Sequence, residues 1–482
     1  MNTESRHCLF DTNALVSHVR SLYYSSWYPI LLLLISFVSW VTHQPLVGIY
    51  ILIFLCVISL IIVRDITPSL YIIPLMLMTT STEDFLAHSA NFNAIIVAAV
   101  LFSVALVSHI VIYRQHYRSG RLTKPLIFVC IAMFLGGIGS PYIKQYFDNI
   151  LFVLSLAPLM LALYIIARSC VELPRDVDAK IYFARIISMF AVFAALQVLV
   201  LRLRIEGDFL ENLRAPLQSG WANRNGLATI LLIGIGTMFY YADNAKRGNF
   251  LLFHLAFALD LSLVFTYSRG GGLAGLIQFV AIVIIMLVKG KHKVQFLIAG
   301  GMWTVGIGAA FIVFREYLPE LIKRLHEVGM GSNGRSRLFR EAWELFKQYP
   351  IFGVGFGYYN EGGLVHYPNT IYWIHNTVLQ VMSFMGIVGV AIYIYYYIER
   401  IKMWLHHVNV FKLFGMCSII AFEGQSLVDT GTFSSIPFLY LAVLLEIFVE
   451  ISSDIDDRNR QDKFMLEVGI DVDMFNARYF AK

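Results

Sequence analysis

The chain contains 482 residues, of which 58% are hydrophobic and only 14% are charged, and its mean hydropathy is +0.67. This composition excludes an ordinary soluble domain and places the chain among proteins that cross a membrane several times. The formal net charge of +5 is small and gives no reason to expect nucleic acid as a partner.

About fourteen apolar segments are candidates to cross a bilayer, whose hydrocarbon core is spanned by roughly twenty helical residues. They predict an all-α, polytopic helical bundle. The third segment is short and contains Pro74, so we expect it to be tilted, re-entrant or shielded by neighbours. The segments lie near residues 27–42, 46–63, 69–81, 94–113, 125–140, 150–168, 181–201, 226–241, 250–267, 270–288, 294–314, 375–398, 412–428 and 436–451.

These spans divide the chain into three predicted parts. They are a cytoplasmic N-terminal segment at 1–26, a transmembrane domain at 27–451 and a cytoplasmic tail at 452–482. One large external loop, at 315–374, interrupts the transmembrane domain. Two stretches of this loop, REYLPELIKRLHEVG and RSRLFREAWELFKQY, place apolar residues three and four positions apart and so predict short amphipathic helices.

The distribution of Lys and Arg predicts the orientation of the bundle. Basic clusters occupy alternate connections, at 114–124, 244–249, 289–293 and 399–404, and recur in the tail. By the positive-inside rule these clusters and both termini face the cytoplasm. The 315–374 loop then faces outward.

The outer loop is rich in arginine, although outer loops normally contain few basic residues. Its arginines are Arg315, Arg324, Arg335, Arg337 and Arg340. The planar guanidinium makes forked contacts with phosphate oxygens. An anionic substrate is therefore the simplest reason for this composition.

Two motifs at the outer ends of spans contain further arginines. SRGGG, at residues 268–272, combines a flexible turn with Arg269 and the free N–H groups of the following helix, which suits an anion. The alternative is an interfacial arginine that reaches lipid headgroups. WANRNG places Arg224 at the outer surface, where a capping turn formed by Asn223 or Asn225 is the favoured alternative.

Two more motifs belong to the outer loop. In GRSRLFREAWELF, Arg337 and Arg340 share a helix face, and for Arg340 we expect a solvated face with nearby glutamates. IHNT places His375 at a helix start, where an imidazole can act as a general base, although a structural histidine is the alternative. No HExxH motif, DxD motif or carboxylate cluster stands out beside the outer loop, so we expect neither a metal nor another cofactor.

The order of these motifs resembles the O-antigen polymerase and O-antigen ligase superfamily. No single motif is specific, but their order and spacing across one outer loop are. The matching segments lie between about residues 220 and 400 and are NRNGLA, TYSRGGG, GRSRLFREAW, YPIFGVGFG, IHNTVLQ and FMGIVG.

The resemblance implies a metal-independent, GT-C-like glycosyltransferase of the bacterial inner membrane. Its donor would be a glycan on undecaprenyl pyrophosphate at the outer face. The family arginines that hold the pyrophosphate fall on Arg269 and Arg337, with Arg335 as a register alternative, and the family histidine that activates the acceptor falls on His375. Arg269, Arg337 and His375 are thus the implied catalytic residues.

Two further residues, Arg224 and Asn376, are candidates for substrate binding. The sequence around Arg224 departs from the Pro-containing form often seen in the family. The expected chemistry needs charge stabilisation where phosphate charge develops and one base on the incoming hydroxyl. Displacement from the opposite face of the sugar would invert the anomeric configuration.

The acceptor separates two related functions. About fourteen spans favour a polymerase, which extends lipid-linked repeat units of an O-antigen, capsule or exopolysaccharide, over a ligase, which transfers the glycan to lipid A–core. A flippase for lipid-linked oligosaccharides is the alternative from a different class of protein. Such a transporter should consist of two halves with similar sequences, and we detect no such halves in this sequence. Membrane lipids and a chain-length regulator protein are the other expected partners.

Overall fold

The computed structural model describes residues 19–81, 89–143, 150–207, 215–313, 335–356, 374–429 and 436–467, with the single residues 212, 315 and 319. These residues form helices and contain no β-strand, which confirms the predicted all-α class. In chain order the helices are α1 (Trp27–Val41), α2 (Pro45–Ile62), α3 (Thr67–Leu70), α4 (Ile72–Met78), α5 (Ser89–Ile112), α6 (Thr123–Leu135), α7 (Ile150–Ser155), α8 (Ala157–Cys170), α9 (Ala179–Arg204), α10 (Arg224–Asn244), α11 (Asn249–Phe265), α12 (Arg269–Lys289), α13 (Lys293–Val313), α14 (Arg335–Gln348), α15 (Thr377–Leu405), α16 (Val410–Ser426) and α17 (Ile436–Glu467).

Each predicted span overlaps one or two of these helices. Within the described residues, eight helical segments are long and apolar enough to cross a membrane, in α2, α5, α7–α8, α9, α10, α12, α13 and α15. Shorter apolar stretches occur in α1, α3–α4, α6 and α11. The protein is therefore a polytopic membrane protein, while the number of fourteen crossings stays a prediction.

The elements outside the spans bear on three of the predictions. The amphipathic helix predicted from RSRLFREAWELFKQY is confirmed as α14. The stretch REYLPELIKRLHEVG lies almost wholly outside the described residues. α17 continues past residue 451 to Glu467, so the first part of the predicted tail prolongs the last helix.

The helix α10 lies at the centre of the bundle and is the most buried of the candidate spans. It packs against α9, α11 and α16. Small residues permit the close approach that helix packing in membranes requires. A Cβ added at Gly234 would meet Ala191 of α9, and one added at Gly236 would meet the Phe414 carbonyl of α16.

The short third span is shielded by its neighbours, one of the three expected arrangements. Proline lacks an N–H, so Pro74 leaves the carbonyl of Leu70 without its usual helical donor. The hydroxyl of Tyr440 in α17 donates to that carbonyl at 2.7 Å. Both short helices, α3 and α4, are largely buried, so protein rather than lipid surrounds the break.

A second break lies within α15, at Gly386, whose φ is 62° and ψ is −159°. In a regular helix, the N–H groups of residues 387 and 388 would donate to the carbonyls of Ser383 and Phe384. Instead, Ile387 donates to Pro350 at 2.8 Å and Val388 donates to Ile351 at 3.3 Å. The two helical bonds are thus replaced by bonds to the segment that follows α14.

The same segment, residues 350–355, also satisfies the carbonyls that the break exposes. Val354 N–H donates to the Ser383 carbonyl at 2.9 Å, and Gly355 N–H donates to the Phe384 carbonyl at 3.0 Å. Both Gly353 and Gly386 have positive φ, and a Cβ at either would collide with the backbone of the other segment. This backbone exchange explains Gly353 of YPIFGVGFG and Gly386 of FMGIVG and holds α14 against α15.

We predict that Gly386→Ala strongly destabilises the protein. A side chain at this φ costs about 1–2 kcal/mol, and the added Cβ would also displace the Ile351 carbonyl. The expected total is more than about 3 kcal/mol, measured as a lower melting temperature in detergent. Gly306→Ala in α13 is the matched control, because nothing lies within 4 Å of its added Cβ. Equal melting temperatures for the two variants would contradict this account.

The predicted topology is tested with single cysteines on exposed positions, in a chain whose native cysteines are replaced. Glu344→Cys on α14 should react with an impermeant thiol reagent in intact spheroplasts, whereas Arg460→Cys on α17 should react only after lysis. Both side chains are exposed, at 52% and 57%, so access to reagent within the protein is comparable. The reverse labelling pattern would invert the orientation.

Candidate functional site

Three helix N-termini meet at one end of the bundle. The Ser268 hydroxyl at the start of α12 donates to the Asn225 side chain at the start of α10, at 2.9 Å. Gln425, near the end of α16, contacts Ser268 at 3.5 Å. The Asn376 amide at the start of α15 donates to the Leu427 carbonyl just after α16, at 2.8 Å. The partial positive charges of three helix dipoles therefore face one region.

Each of these N-termini is capped by a polar side chain. Asn223 accepts hydrogen bonds from two N–H groups of α10, which confirms the predicted capping turn. Ser268 accepts from Gly271 N–H at 3.3 Å in α12, and Asn376 accepts from Leu379 N–H at 2.9 Å in α15. Because both polar atoms of the Asn376 amide are engaged, its contacts are those of a cap, and a role in substrate binding stays a prediction.

Three arginines gather at this end: Arg224 and Arg269 open α10 and α12, and Arg335 opens α14. Partial burial lowers the pKa of Arg335; the charge of Asp429 opposes this effect, and the charges of Arg269 and Arg224 add to it. Arg224 and Arg269 therefore both lie within electrostatic range of Arg335. The cluster therefore forms a positive site suited to a polyanion.

The structure separates the two arginines that the sequence left as register alternatives. Arg335 is half-buried and within electrostatic range of Arg269 and Arg224. Arg337 is exposed, as is Arg340. The geometry thus favours Arg335 over Arg337 as the partner of Arg269, because only Arg335 combines reduced exposure with proximity to the other arginines.

His375 stands directly before the Asn376 cap and pairs with Asp429. Its Nδ1 lies 2.8 Å from a carboxylate oxygen of Asp429, and the two side chains are 38% and 16% exposed. An ionised carboxylate only accepts hydrogen bonds, so Nδ1–H donates and the neutral ring has its lone pair on Nε2. His375 adopts a left-handed φ of 55°, a conformation uncommon for residues other than glycine.

Asp429 was not identified from the sequence. It lies 54 residues from His375 along the chain and belongs to no recognised motif. The available signal was an acidic residue just past an apolar span, at an end where basic residues prevail. A role for Asp429 becomes apparent only in the folded protein, where its carboxylate lies against the imidazole of His375.

An apolar groove begins beside His375 and runs between α15 and α16. Thr377 and Leu427 line its beginning, and Arg400 and Glu423 line it further along. Its volume is about 650 Å³. Nearly all other lining side chains are aliphatic or aromatic, so the groove can accept the hydrocarbon part of a lipid whose polar head lies near His375.

The charged group along this groove is internally satisfied. Arg400 contacts Glu423 at 2.7 Å and also Glu446, and it lies over the rings of Tyr396 and Tyr397. Because buried charges are tolerated only when paired, this cluster is best explained as a structural tie between α15, α16 and α17.

Within the described residues, the group with metal-ligand spacing is formed by His406, His407 and Asp457. It lies after the C-terminal end of α15, opposite the end that His375 precedes. It therefore does not belong to the arginine site.

Comparison with known proteins supports the resemblance found in the motifs. A family profile described as O-Antigen ligase matches residues 251–394. The chain is also similar to the teichuronic acid biosynthesis protein TuaE of Bacillus subtilis (strain 168), with 24% identity over 176 residues. That match covers 34% of this chain and 36% of the relative, so the chain matches about a third of the relative's length.

The anion site is tested by comparing two neighbouring arginines. Arg335→Ala should weaken binding of farnesyl pyrophosphate at least about tenfold, because a hydrogen bond to a charged group contributes about 1.5–3 kcal/mol. Arg337→Ala, two residues away on the same helix, should bind almost normally. Equilibrium binding to purified protein measures both. A loss confined to Arg337→Ala would restore the register implied by the resemblance.

Proposed function

We propose that this chain polymerises lipid-linked oligosaccharide repeat units, a function that its similarity to the O-antigen polymerase and ligase superfamily supports. The donor is a glycan on undecaprenyl pyrophosphate, and the acceptor is a sugar hydroxyl of a second lipid-linked glycan. The product is an O-antigen, capsule or exopolysaccharide chain. The observation that carries this proposal is the position of Arg335, which lies within electrostatic range of Arg224, of Arg269 and of Asp429, the partner of His375.

In the proposed reaction, the acceptor hydroxyl attacks the anomeric carbon of the donor. The bond between that carbon and the pyrophosphate oxygen breaks, and negative charge develops on the leaving pyrophosphate. The arginine cluster stabilises this charge, which is the main task of catalysis with such a leaving group. Attack from the opposite face inverts the anomeric configuration.

The His375–Asp429 pair supplies the base. Nε2 of the neutral imidazole accepts the proton of the acceptor hydroxyl as the new glycosidic bond forms. Asp429 holds the ring by its Nδ1–H and stabilises the imidazolium that results, as a carboxylate does in other histidine-based sites. In this scheme, arginine, histidine and aspartate side chains stabilise every charge that develops during the reaction. We therefore propose a metal-independent enzyme.

The groove between α15 and α16 supports a lipid-linked donor. Its apolar lining suits an isoprenoid tail, and its start beside Thr377 leaves the pyrophosphate near the arginines. The proposed location is the bacterial inner membrane, with both termini in the cytoplasm and the site at the outer face. A chain-length regulator protein is a proposed partner.

The second candidate is ligation of the glycan to lipid A–core, which the description of the family profile favours. Both functions use the same donor and differ in acceptor. The relative TuaE is described as a teichuronic acid biosynthesis protein. This similarity supports a role in glycan biosynthesis rather than in lipid transport by a flippase. Supplying purified protein in detergent with lipid-linked repeats or with lipid A–core separates the two, and elongation of the repeats is the expected outcome.

We predict that His375→Ala lowers the elongation rate about a hundred- to ten-thousand-fold, the usual contribution of a general base, while donor binding stays near normal. Asp429→Asn should lower the rate less than His375→Ala, because the base remains but its preferred tautomer is lost.

Elongation rate and donor affinity are measured separately in the same purified preparations. His406→Ala is the matched control, since this histidine also pairs with an aspartate but lies after the opposite end of α15. Normal elongation in His375→Ala would remove this residue from the mechanism. Lost binding with normal turnover would make it a donor ligand.

A further inference from the structure

We infer that Arg202 and an adjoining apolar cavity bind the polyprenyl pyrophosphate of the acceptor glycan. This inference rests on the proposed polymerase function. The cavity has a volume of about 530 Å³ and lies between α9, α11 and α13. Its walls include Leu199, Leu255, Ala258 and Trp303, so they come from different helices than the α15–α16 groove.

Arg202 is the charged residue that lines this cavity, and its side chain is unusually placed. The residue is only 8% exposed. Its Nε donates to the Phe265 carbonyl at 2.8 Å, and one terminal nitrogen donates to Ala215 at 3.1 Å and also to Asn212. All three acceptors are neutral backbone carbonyls, which orient the guanidinium without neutralising it.

The other terminal nitrogen, Nη2, is buried and has no hydrogen-bond partner among the described residues. Among the described carboxylates, none forms a salt bridge with Arg202. Buried polar groups are almost always satisfied, and a buried charge without a counter-ion is costly. A phosphate oxygen at Nη2 would meet both requirements.

The cavity is placed for a membrane lipid. Leu199 and Leu203 of α9 are 54% and 77% exposed, so this face of the helix contacts the hydrocarbon of the bilayer. A lipid tail can enter from the side while its phosphate reaches Arg202 at the end of α9. The pairing of apolar walls with one buried cation fits an anionic lipid with a long hydrocarbon chain.

The position of Arg202 connects this cavity to the arginine cluster. The Phe265 carbonyl that accepts from Arg202 lies four residues before Arg269, and the charge of Arg224 acts on Arg202. Two apolar cavities therefore adjoin one positive region. A polymerase joins two lipid-linked glycans, and the acceptor keeps its own pyrophosphate throughout the transfer. One cavity for each lipid meets that need.

The test counts bound lipids by native mass spectrometry in phosphatidylcholine nanodiscs containing undecaprenyl phosphate. The unmodified protein should bind two. Ala258→Phe, which fills the cavity and leaves Arg202 in place, and Arg202→Gln should each bind one. The remaining lipid should be lost on adding Arg269→Ala. Arg204→Gln is the matched control, because Arg204 lies on the same helix end but is exposed, and it should still bind two.

The kinetic counterpart is the KM for the acceptor, which should rise about tenfold in Arg202→Gln because one charge-assisted contact is lost, with little change in the KM for the donor. A single bound lipid in the unmodified protein, or two in Ala258→Phe, would overturn the inference. Equal displacement by phosphatidylglycerol would overturn it as well, by identifying an ordinary headgroup site.

These outcomes are distinct from failure of the proposed function. If elongation depends on His375 but only one polyprenyl phosphate binds, the proposed polymerase function is supported and the proposed Arg202 site is refuted. If two lipids bind but no elongation occurs, the proposed polymerase function is refuted. The role of this cavity as the acceptor site is then refuted as well.

Discussion

The backbone hydrogen bonds between residues 350–355 and the helix break at Gly386 determine the geometry of the candidate site. A membrane helix can be broken only where other groups satisfy its backbone, because each unsatisfied N–H or carbonyl in hydrocarbon costs several kcal/mol. Here four hydrogen bonds from one segment replace two within α15. The exchange joins the helix that begins at Arg335 to the helix that follows His375, so the anion-binding and proton-accepting groups have a fixed relation.

A second constraint is electrostatic. Several cations at one membrane surface repel each other. Partial burial lowers the pKa of Arg335, and the charges of Arg269 and Arg224 add to this effect. The charge of Asp429 opposes this effect, and the same carboxylate pairs with His375. Such an arrangement would suit the polyanion of the proposed donor. The helix N-termini at the same end act in the same direction.

The two apolar cavities extend this interpretation into the membrane. Each begins at the end of the bundle that contains the arginines, and each has walls from different helices. Their polar residues differ in kind. Arg400 in the α15–α16 groove is fully paired with glutamates and ties helices together. Arg202 in the other cavity is held only by carbonyls among the described residues, which leaves a charge for a ligand to neutralise.

The sequence by itself determined the elements and the resemblance to a family: apolar runs of membrane length, the amphipathic pattern of α14, a capping turn at Asn223 or Asn225 and the order of the motifs all depend on local residue spacing. Only the tertiary structure decided which residues share a site. Arg335 and Arg337 differ by two positions on one helix, and their burial depends on how the segment after α14 packs against α15. Asp429 and Arg202 belong to no motif, and they became interpretable only through contacts with residues distant in the chain. Periodicity carries no information about such contacts, because they arise from helix packing and backbone exchange.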